Sequence, residues 1–316
     1  MRDYSLFGGT LRSEVELPEL TAAESTQPDW QLRSLPWPPP GSHGERLGTD
    51  VVNSSADVRL YRSDGGLRMV FDDTGCFEIS PDARTIRWYH GPDVSLRDAR
   101  SDLTGRVFAA VLHVAGTLSL HGSAAVLDGI AVGVVAPKFH GKSTLTLALV
   151  KAGGRLLTDD TLPVRPGDPP MAAPGLHAAR LWSDSAERVG LGQVSAAGNG
   201  KQLFSGLPPD SLEDTPRPLG GIYLLSPTQA LDDGSAVRRT RLSTMESAMV
   251  LIGHAKLGPL LKASEAPELF RRAVALAESV PVYRLSVVRD LDRLDEVVGA
   301  LFEWHAIPQV VSGGER

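Results

Sequence analysis

The chain has 316 residues, of which 42% are hydrophobic and 22% charged, and this globular composition indicates about two domains. Its net charge of −6 argues against a nucleic-acid binder that works by neutralising phosphates. The single cysteine, Cys76, excludes a disulfide framework or a cysteine-rich zinc site within the chain and favours a reducing, cytoplasmic compartment. No apolar run approaches the ~18 residues of a membrane span, and the charged first residues are not typical of a signal peptide.

The first part of the chain reads as strands and turns. VRLYRSDGGLRMVFDDTGCFEIS alternates apolar and polar residues around Asp-Gly-Gly and Asp-Thr-Gly turns, which predicts a meander of hairpins. PDWQLRSLPWPPPGSHGERLG is rich in proline and glycine and has no period, so a long loop is expected there. These patterns predict a β-rich N-terminal domain over residues 1–95.

The pattern changes near residue 96. SLRDARSDLTGRVFAAVLHVAG repeats apolar residues every three or four positions, which predicts a helix over 96–116. Ser95, or else Asp93, would cap its start, and Gly116 would end it. We interpret this helix as the bridge into a second domain over residues 96–316.

The second domain mixes strands and helices. TLSLHGSAAVLDGIAVGVVAP contains two apolar runs around Asp128-Gly129, a hairpin signal. RLLTDD, GGIYLLSP and VPVYRLSV predict further strands, while STLTLALVKAGG, STMESAMVLIGHAKLG, APELFRRAVALAES and DLDRLDEVVGALFEW predict helices. Because the alternation is not strictly βαβ, we expect an α/β domain with a mixed sheet.

APKFHGKST, residues 136–144, ends like a phosphate-binding loop of the Walker A type. Such a loop needs backbone N–H groups at a helix N terminus, a lysine for the outer phosphates and a hydroxyl for magnesium. Gly141 would allow the close backbone approach, Lys142 would be the phosphate lysine and Ser143 the metal hydroxyl. The other residues expected near the phosphates are Phe139, His140 and Thr144.

Ala136 departs from this pattern, which usually begins with glycine. Alanine would adopt the unusual backbone angle at a cost of about 1 kcal/mol, and Pro137 would stiffen the next step. The alternative interpretation is an incidental Gly-Lys-Ser at a strand–helix corner.

Asp159 and Asp160 end the apolar run that follows the helix. Two carboxylates there could hold the metal and accept a proton from an attacking hydroxyl, whereas the alternative is an aspartate that caps the next turn. His121 is a lone histidine, for which a structural role is the usual one. It becomes of interest if the hairpin brings its imidazole within hydrogen-bond reach of Asp159, directly or through one water.

The stretch LHGSAAVLDGIAVGVVAPKFHGKSTLTLALVKAGGRLLTDDTLPV resembles the catalytic domain of the HPr kinase/phosphorylase family, P-loop kinases whose fold is akin to phosphoenolpyruvate carboxykinase. With PG at 174–175, RLWSDS at 180–185, VPVYRLSVVRDLDRL and the N-terminal YSLFGGTLRSEVELPEL, the chain is more similar to the stand-alone HPr-kinase-like proteins of bacterial biosynthetic gene clusters. The resemblance covers most of the chain and is strong over 118–185. No single motif is unique to the family, but their order is specific.

The resemblance implies roles for the residues singled out above. Residues 141–144 would form the nucleotide-phosphate loop, Asp159 would be the general base and Asp160 would support the metal. His121 matches a histidine that lies near the catalytic aspartate in the family.

Two departures from the family pattern concern the metal and the loop. The first loop glycine is replaced by Ala136, and Ala179 stands where the family has a magnesium-binding glutamate before Arg180. Asp184 or Glu187 could take its place, or the metal would have fewer protein ligands. The longer signature with which HPr kinases hold their protein substrate is not visible, so HPr is not the expected acceptor.

Two cations further along the chain are candidate ligands of the nucleotide. Lys201 lies in the glycine-rich AAGNGKQLF and could reach over the γ-phosphate, or it is a solvated loop lysine. Arg180 would be a second phosphate contact, or it forms a salt bridge to a neighbouring acid.

These features predict an ATP- and Mg²⁺-dependent kinase whose acceptor is a hydroxyl of a peptide, a protein or a small biosynthetic metabolite. A nucleotide-binding partner or sensor without transfer chemistry is the first alternative, and a phosphorylase or phosphohydrolase running the reverse reaction is the second. We expect a cytoplasmic protein without nucleic-acid or membrane partners. The choice among ATP, GTP and pyrophosphate as the phosphate donor stays open. The oligomeric state stays open too, and the sequence is compatible with a homo-oligomer.

Overall fold

The computed structural model describes residues 1–53, 56–176, 179–182, 187, 190, 193–198, 201–205, 207–261 and 265–306. For residues 53, 179–182, 193–198 and 201–205 it describes the backbone alone.

The first sheet occupies the N-terminal part of the chain. Its nine strands, counted over the described residues, are β1 (Arg2–Leu6), β2 (Gly9–Ser13), β3 (Thr21–Ala23), β4 (Trp30–Pro36), β5 (Glu45–Asn53), β6 (Ala56–Ser63), β7 (Gly66–Phe71), β8 (Gly75–Ile79) and β9 (Thr85–His90). Their order is β3-β1-β2-β4-β9-β8-β7-β6-β5. Strands β6 to β9 pair antiparallel in succession, as the alternating sequence predicts.

One N-terminal expectation is wrong, because the proline-rich stretch is not entirely a loop. Its first half forms β4, which pairs parallel with both β2 and β9 and lies inside the sheet. The buried side chains of Trp30 and Leu32 give β4 its inward face. The remaining loop is held by Arg68, whose guanidinium donates to the carbonyl oxygens of Ser42 (2.7 Å) and Pro40 (3.0 Å).

The expected bridging helix is present. It consists of α1 (Leu96–Asp102), a π-helical turn (Leu103–Val107) and α2 (Phe108–Val114). The Ser95 side chain caps it by accepting from the Asp98 N–H at 3.3 Å. Its apolar side chains belong to the core of the first sheet, where the Phe108 ring lies 5.3 Å from that of Trp30. This core therefore extends beyond residue 95, and the division of the chain at that position stays a prediction.

The remaining strands are β10 (Leu118–Leu120), β11 (Gly122–Leu127), β12 (Ile130–Val135), β13 (Arg155–Thr158), β14 (Leu162–Arg165), β15 (Met171–Ala172), β16 (Ala179–Trp182), β17 (Gln193–Gly198), β18 (Lys201–Ser205), β19 (Arg217–Thr228), β20 (Val237–Arg241) and β21 (Val282–Val288). The later helices are α3 (Lys142–Lys151), α4 (Thr244–Gly253), α5 (Ala266–Ser279) and α6 (Leu294–His305). Within the described residues, no helix has the length and apolar character to cross a membrane.

The second sheet is mixed, and the α/β prediction is confirmed. Its order is β10-β14-β15-β19-β12-β11-β13, with β21 pairing β19 and β20. Strand β12 is parallel to β19 but antiparallel to β11. The predicted hairpin turn joins β11 to β12, with left-handed φ angles at Asp128 (46°) and Gly129 (82°). Strands β16, β18 and β17 form a separate small sheet.

Helices cover both faces of the second sheet. Strand β12 alternates its side chains, with Ala131 and Val135 in the core beneath α4 and α5, and Val132 and Val134 in the core beneath α3 and α6. Burial on both faces explains why this strand reads as a continuous apolar run. The sheet is thereby fixed between two helical layers.

A buried carboxylate lies where α1 meets the π-helical turn. Asp102 accepts a 2.7 Å hydrogen bond from the Thr74 hydroxyl, and burial raises its pKa to about 6. A carboxylate whose pKa is raised by folding stabilises the fold when it is protonated, and that contribution is lost as the pH rises from about 4 through 6.

We therefore predict that Asp102→Asn stabilises the protein at pH 8 by about 1–3 kcal/mol, the upper end being the equivalent of two pKa units. The amide still accepts from Thr74 and carries no charge to bury. Urea unfolding of the variant and the wild type at pH 4 and pH 8 measures the difference between their free energies of unfolding, which should be small at pH 4. The control is Asp98→Asn, which changes an exposed carboxylate of the same helix. If the stability of Asp102→Asn changed with pH in the same way as that of the wild type, the prediction would be contradicted.

Candidate functional site

The candidate site lies at one edge of the second sheet. Strand β11 is antiparallel to both of its neighbours, β12 and β13, so the carboxyl ends of β12 and β13 meet at the same edge, roughly 10 Å apart. Residues 136–144 follow β12, and Asp159 follows β13. His121 precedes β11 and therefore reaches this edge too. The topology brings these three segments of the sequence together.

The loop after β12 leads directly into α3. Gly141 is the N-terminal cap residue of α3, with φ 90°, and among the described residues no side chain caps this terminus. Phe139 also has a left-handed φ of 70°, and its ring is 66% exposed. A helix N terminus reached through such a loop is a favourable place for an anion.

Ala136 does not carry the strain that the sequence led us to expect. It is absent from the residues with positive φ in the described chain, and its side chain is fully buried with Val134 and Leu145. The unusual angles lie at Phe139 and Gly141 instead. Alanine at the first loop position therefore acts as a core residue.

Lys142 is buried, and its side chain folds back over the loop. The ammonium donates to the carbonyl oxygens of Ala136 (2.8 Å) and Pro137 (3.2 Å). A cation is thus held at the end of β12, beside the N terminus of α3. Its role as the phosphate lysine stays a prediction.

Ser143 and Asp159 are direct partners. The Ser143 hydroxyl donates to both carboxylate oxygens of Asp159, at 2.9 and 3.1 Å. Asp159 is only 6% exposed. Burial raises the pKa of its carboxyl, as does the neighbouring charge of Asp160, while the Ser143 hydrogen bond and the Lys142 charge oppose the shift.

Asp160 faces a different set of partners. Its φ of 66° is left-handed, and its 58% exposed side chain lies 2.5 Å from the Lys256 ammonium and 3.3 Å from His121 Nδ1. Lys256, and then His121, hold the pKa of this carboxyl well below its usual range against the opposing effect of its partial desolvation by the surrounding protein. Consecutive aspartates are thereby shifted in opposite directions.

The expected pairing of His121 with Asp159 is replaced by one with Asp160. His121 Nδ1 lies 3.3 Å from both the carbonyl oxygen and a carboxylate oxygen of Asp160. The left-handed backbone at Asp160 turns the two carboxylates apart, so that only the second faces His121. Over the described residues, His121 Nε2 is buried without a hydrogen-bond partner.

Lys256 is the site residue that the sequence reasoning missed. It follows α4, and its ammonium contacts the Asp160 carboxylate and the Thr161 hydroxyl. Its backbone N–H donates to the Ser119 carbonyl at 2.9 Å. The sequence was interpreted as a helix through residue 258, but α4 ends at Gly253. No spacing rule relates a lysine to an aspartate 96 positions earlier, so only the fold reveals this contact.

His254 lies two residues before Lys256 and borders the site. Its backbone carbonyl accepts from the His121 N–H at 2.7 Å. Burial lowers its pKa to about 4, and the positive charges of Lys142 and His121 act in the same direction. His254 is therefore neutral at physiological pH.

The other predicted ligands have varied positions. His140 is exposed, with Nδ1 2.9 Å from the Lys138 carbonyl oxygen, and Thr144 is buried in α3. Arg180 and Lys201 lie on paired strands β16 and β18, but their side chains are outside the described residues, as is Asp184. The structure therefore leaves the roles of Arg180 and Lys201 as predictions.

The two predicted metal ligands, Ser143 and Asp160, have different protein partners. Ser143 contacts Asp159, whereas Asp160 is paired with Lys256, and the described residues contain no group of three His, Cys, Asp or Glu that could hold an ion. The adjacent hard oxygens are those of Ser143 and Asp159. Because Mg²⁺ usually takes one or two protein oxygens and completes its shell with phosphates and water, this pair fits it.

No protein-family model and no curated protein match the chain. Among solved structures, it is similar to the HPr(Ser) kinase/phosphatase from Coxiella burnetii, at 15% identity and a TM-score of 0.31, over 59% of this chain and 96% of that one. A TM-score this low supports no functional inference.

We predict that Lys256→Met lowers the free energy of unfolding at pH 7 by about 1 kcal/mol, a value discounted for the exposure of Asp160. The depressed pKa of Asp160 contributes stability at neutral pH that is lost as the pH falls through its folded value. Urea unfolding at pH 7 and pH 3 should therefore show the difference shrinking in acid. An equal loss at both pH values would mean that Lys256 acts through packing, and the exposed loop variant Lys138→Met is the control.

Proposed function

We propose that this protein is a phosphotransferase that binds ATP at residues 136–144 and transfers the γ-phosphate to a hydroxyl acceptor. One observation carries the proposal: the Ser143 hydroxyl at the start of α3 donates to the buried Asp159 carboxylate at 2.9 Å. Phosphoryl transfer needs a phosphate cradle and a proton acceptor side by side. The sheet edge supplies both.

Support for nucleotide binding comes from the start of α3. Its N terminus lacks a side-chain cap among the described residues, and the Lys142 ammonium is adjacent to the loop. Phosphate oxygens would take over the contacts that Lys142 now makes with loop carbonyls. Lysine and backbone N–H groups would then stabilise the charge that develops during transfer.

We assign the metal hydroxyl to Ser143. Bound Mg²⁺ would supply charge neutralisation on the phosphates. The carboxylate of Asp159 is the second oxygen available beside Ser143, so the experiment below distinguishes a metal role of this residue from a proton role. Asp160, which the sequence had suggested for the metal, instead holds His121 and Lys256.

We assign the proton to Asp159. A base is most effective when its pKa approaches the working pH, and burial moves the pKa of Asp159 in that direction. The pKa of Asp160 is shifted the opposite way, which makes it a poor proton acceptor. In this proposal Asp160 keeps its charge and orients Lys256 and His121.

The acceptor is proposed by class alone. It would be a serine or threonine of a peptide or protein, or the hydroxyl of a small biosynthetic metabolite, and residues 1–95 would take part in selecting it. A cytoplasmic location belongs to the same proposal.

A nucleotide-binding module without transfer chemistry is the second candidate. Both carboxylates already have protein partners: Asp159 accepts a hydrogen bond from Ser143, and Asp160 forms an ion pair with Lys256. In a module, these contacts would hold the nucleotide loop and no acceptor would enter.

Lys142→Met tests the loop. The variant removes the ammonium while keeping an apolar stem of similar length, so calorimetric titration with Mg-ATP should show affinity reduced by at least about tenfold, a loss of roughly 1.4 kcal/mol for one charge-assisted contact. Lys151→Met, at the exposed far end of α3, is the matched control. Equal affinity in Lys142→Met and wild type would remove the nucleotide site from this loop.

Asp159→Asn tests the base. The amide keeps the size of the side chain, so Mg-ATP affinity should change less than about twofold while transfer of labelled γ-phosphate falls by at least about 10²-fold. Asp128→Asn, in the hairpin turn, is the control. The first acceptor screen uses lysate of the source cell and the products of neighbouring genes.

The binding and transfer measurements together separate the candidate functions. If affinity falls together with transfer, Asp159 holds the metal instead of accepting the proton. If Asp159→Asn transfers as well as the wild type, the assignment of the base is wrong. If the wild type binds Mg-ATP and labels nothing, the non-catalytic module is the better description.

A further inference from the structure

Lys256 is joined to the core of the other sheet. The next five residues, 257–261, which we call the strap, leave the second sheet and pass over the first. Leu257 and Leu260 are buried in the same cluster as Leu47 and Leu60, which belong to the N-terminal strands. One peptide bond therefore separates the lysine that holds Asp160 from a side chain anchored in the first sheet.

Strand β5 meets the strap at backbone distance. A Cβ atom added to Gly48 would overlap the carbonyl group of Leu260, so glycine is required by the close approach of the two main chains. Nearby, Arg62 of β6 forms a 2.9 Å ion pair with Glu265. The strap thus fits against the first sheet both through its leucines and through its backbone.

The other end of this linkage is fixed in the site. The backbone of residues 254–256 bonds to that of 119–121, through His121 N–H to the His254 carbonyl (2.7 Å) and Lys256 N–H to the Ser119 carbonyl (2.9 Å). The Lys256 side chain continues to Asp160. His121 and Asp160 are therefore held by the same short segment that continues into the strap.

We propose that the first sheet positions Lys256 on Asp160 through the strap, so that Lys256 is a positioning residue whose place is set by the N-terminal part of the chain. A displacement of about 1 Å at Leu257 would weaken the 2.5 Å contact between Lys256 and Asp160, because hydrogen bonds weaken steeply beyond their normal length. The N-terminal sheet thereby completes the site, a role separate from acceptor selection.

Hydrogen–deuterium exchange on the full chain tests the coupling without any assumption about activity. In Gly48→Ala, the amides of His121 and Lys256 should exchange at least about tenfold faster, because displacing the strap loosens their hydrogen bonds. Amides of β12 and β19 should keep their protection, which separates this local effect from global unfolding. Gly91→Ala is the matched control, since its added Cβ meets nothing within 4 Å.

Leu260→Ala is the second variant, for use if Gly48→Ala does not fold. It removes the anchor without a backbone clash and should increase exchange at the same two amides. Unchanged protection of His121 and Lys256 in the variant that folds would overturn the proposal.

The catalytic consequence rests on the proposed function and has its own measurement, phosphoryl transfer from Mg-ATP. Leu260→Ala should reduce kcat about tenfold with little change in KM for ATP, yet have no further effect in a Lys256→Met background, because both changes remove the same contact. Independent, multiplicative effects would contradict positioning through Lys256. If the wild type shows no transfer, the proposed function fails, while the exchange experiment still decides the coupling.

Discussion

The antiparallel placement of β11 between β12 and β13 is the constraint on which the candidate site depends. It makes the two outer strands run in the same direction, so their carboxyl ends meet although 23 residues lie between Val135 and the Asp159 carboxylate that the Ser143 hydroxyl contacts. Small buried side chains on β11, such as Ala124 and Ala125, allow helices to pack on both faces. Helix α3 can then start at the sheet edge with its N terminus toward the carboxylates. A site built this way is held by strand pairing and core packing, the stiffest elements of the domain.

Opposite environments for two consecutive carboxylates follow from one backbone angle. The left-handed conformation of Asp160 sends its side chain toward Lys256 and His121, while Asp159 stays buried against Ser143. Burial favours the neutral form of the first carboxyl, and adjacent cations favour the charged form of the second. Two neighbouring carboxyl groups with such different pKa values can have two different roles, whereas two equally charged carboxylates at this distance would repel each other. Aspartate tolerates the left-handed region better than most residues, which makes the arrangement inexpensive in backbone strain.

Much of this arrangement can be predicted from local sequence, but not all of it. Hairpins at Asp128-Gly129, the capped helix after Ser95 and the loop before Lys142 each have signals within a few residues, and the structure contains all three. Strand β4 was hidden by a proline-rich sequence, but Pro36 is its last residue and the prolines at 38–40 follow it, so they do not interrupt the pairing. Lys256 could not be found, since its role comes from a contact with a residue 96 positions away. The partner exchange at His121 depends on one φ angle at Asp160, for which the sequence has no marker.

The buried methyl group of Ala136 has a consequence for protein engineering. Because it fills part of the core between β12 and α3, replacing it by the glycine of the Walker A pattern would create a small void and give the unfolded chain more freedom, at a combined cost on the order of 1 kcal/mol. The positive φ angles of this loop lie at Phe139 and Gly141, so its first position has no need of the backbone freedom of glycine.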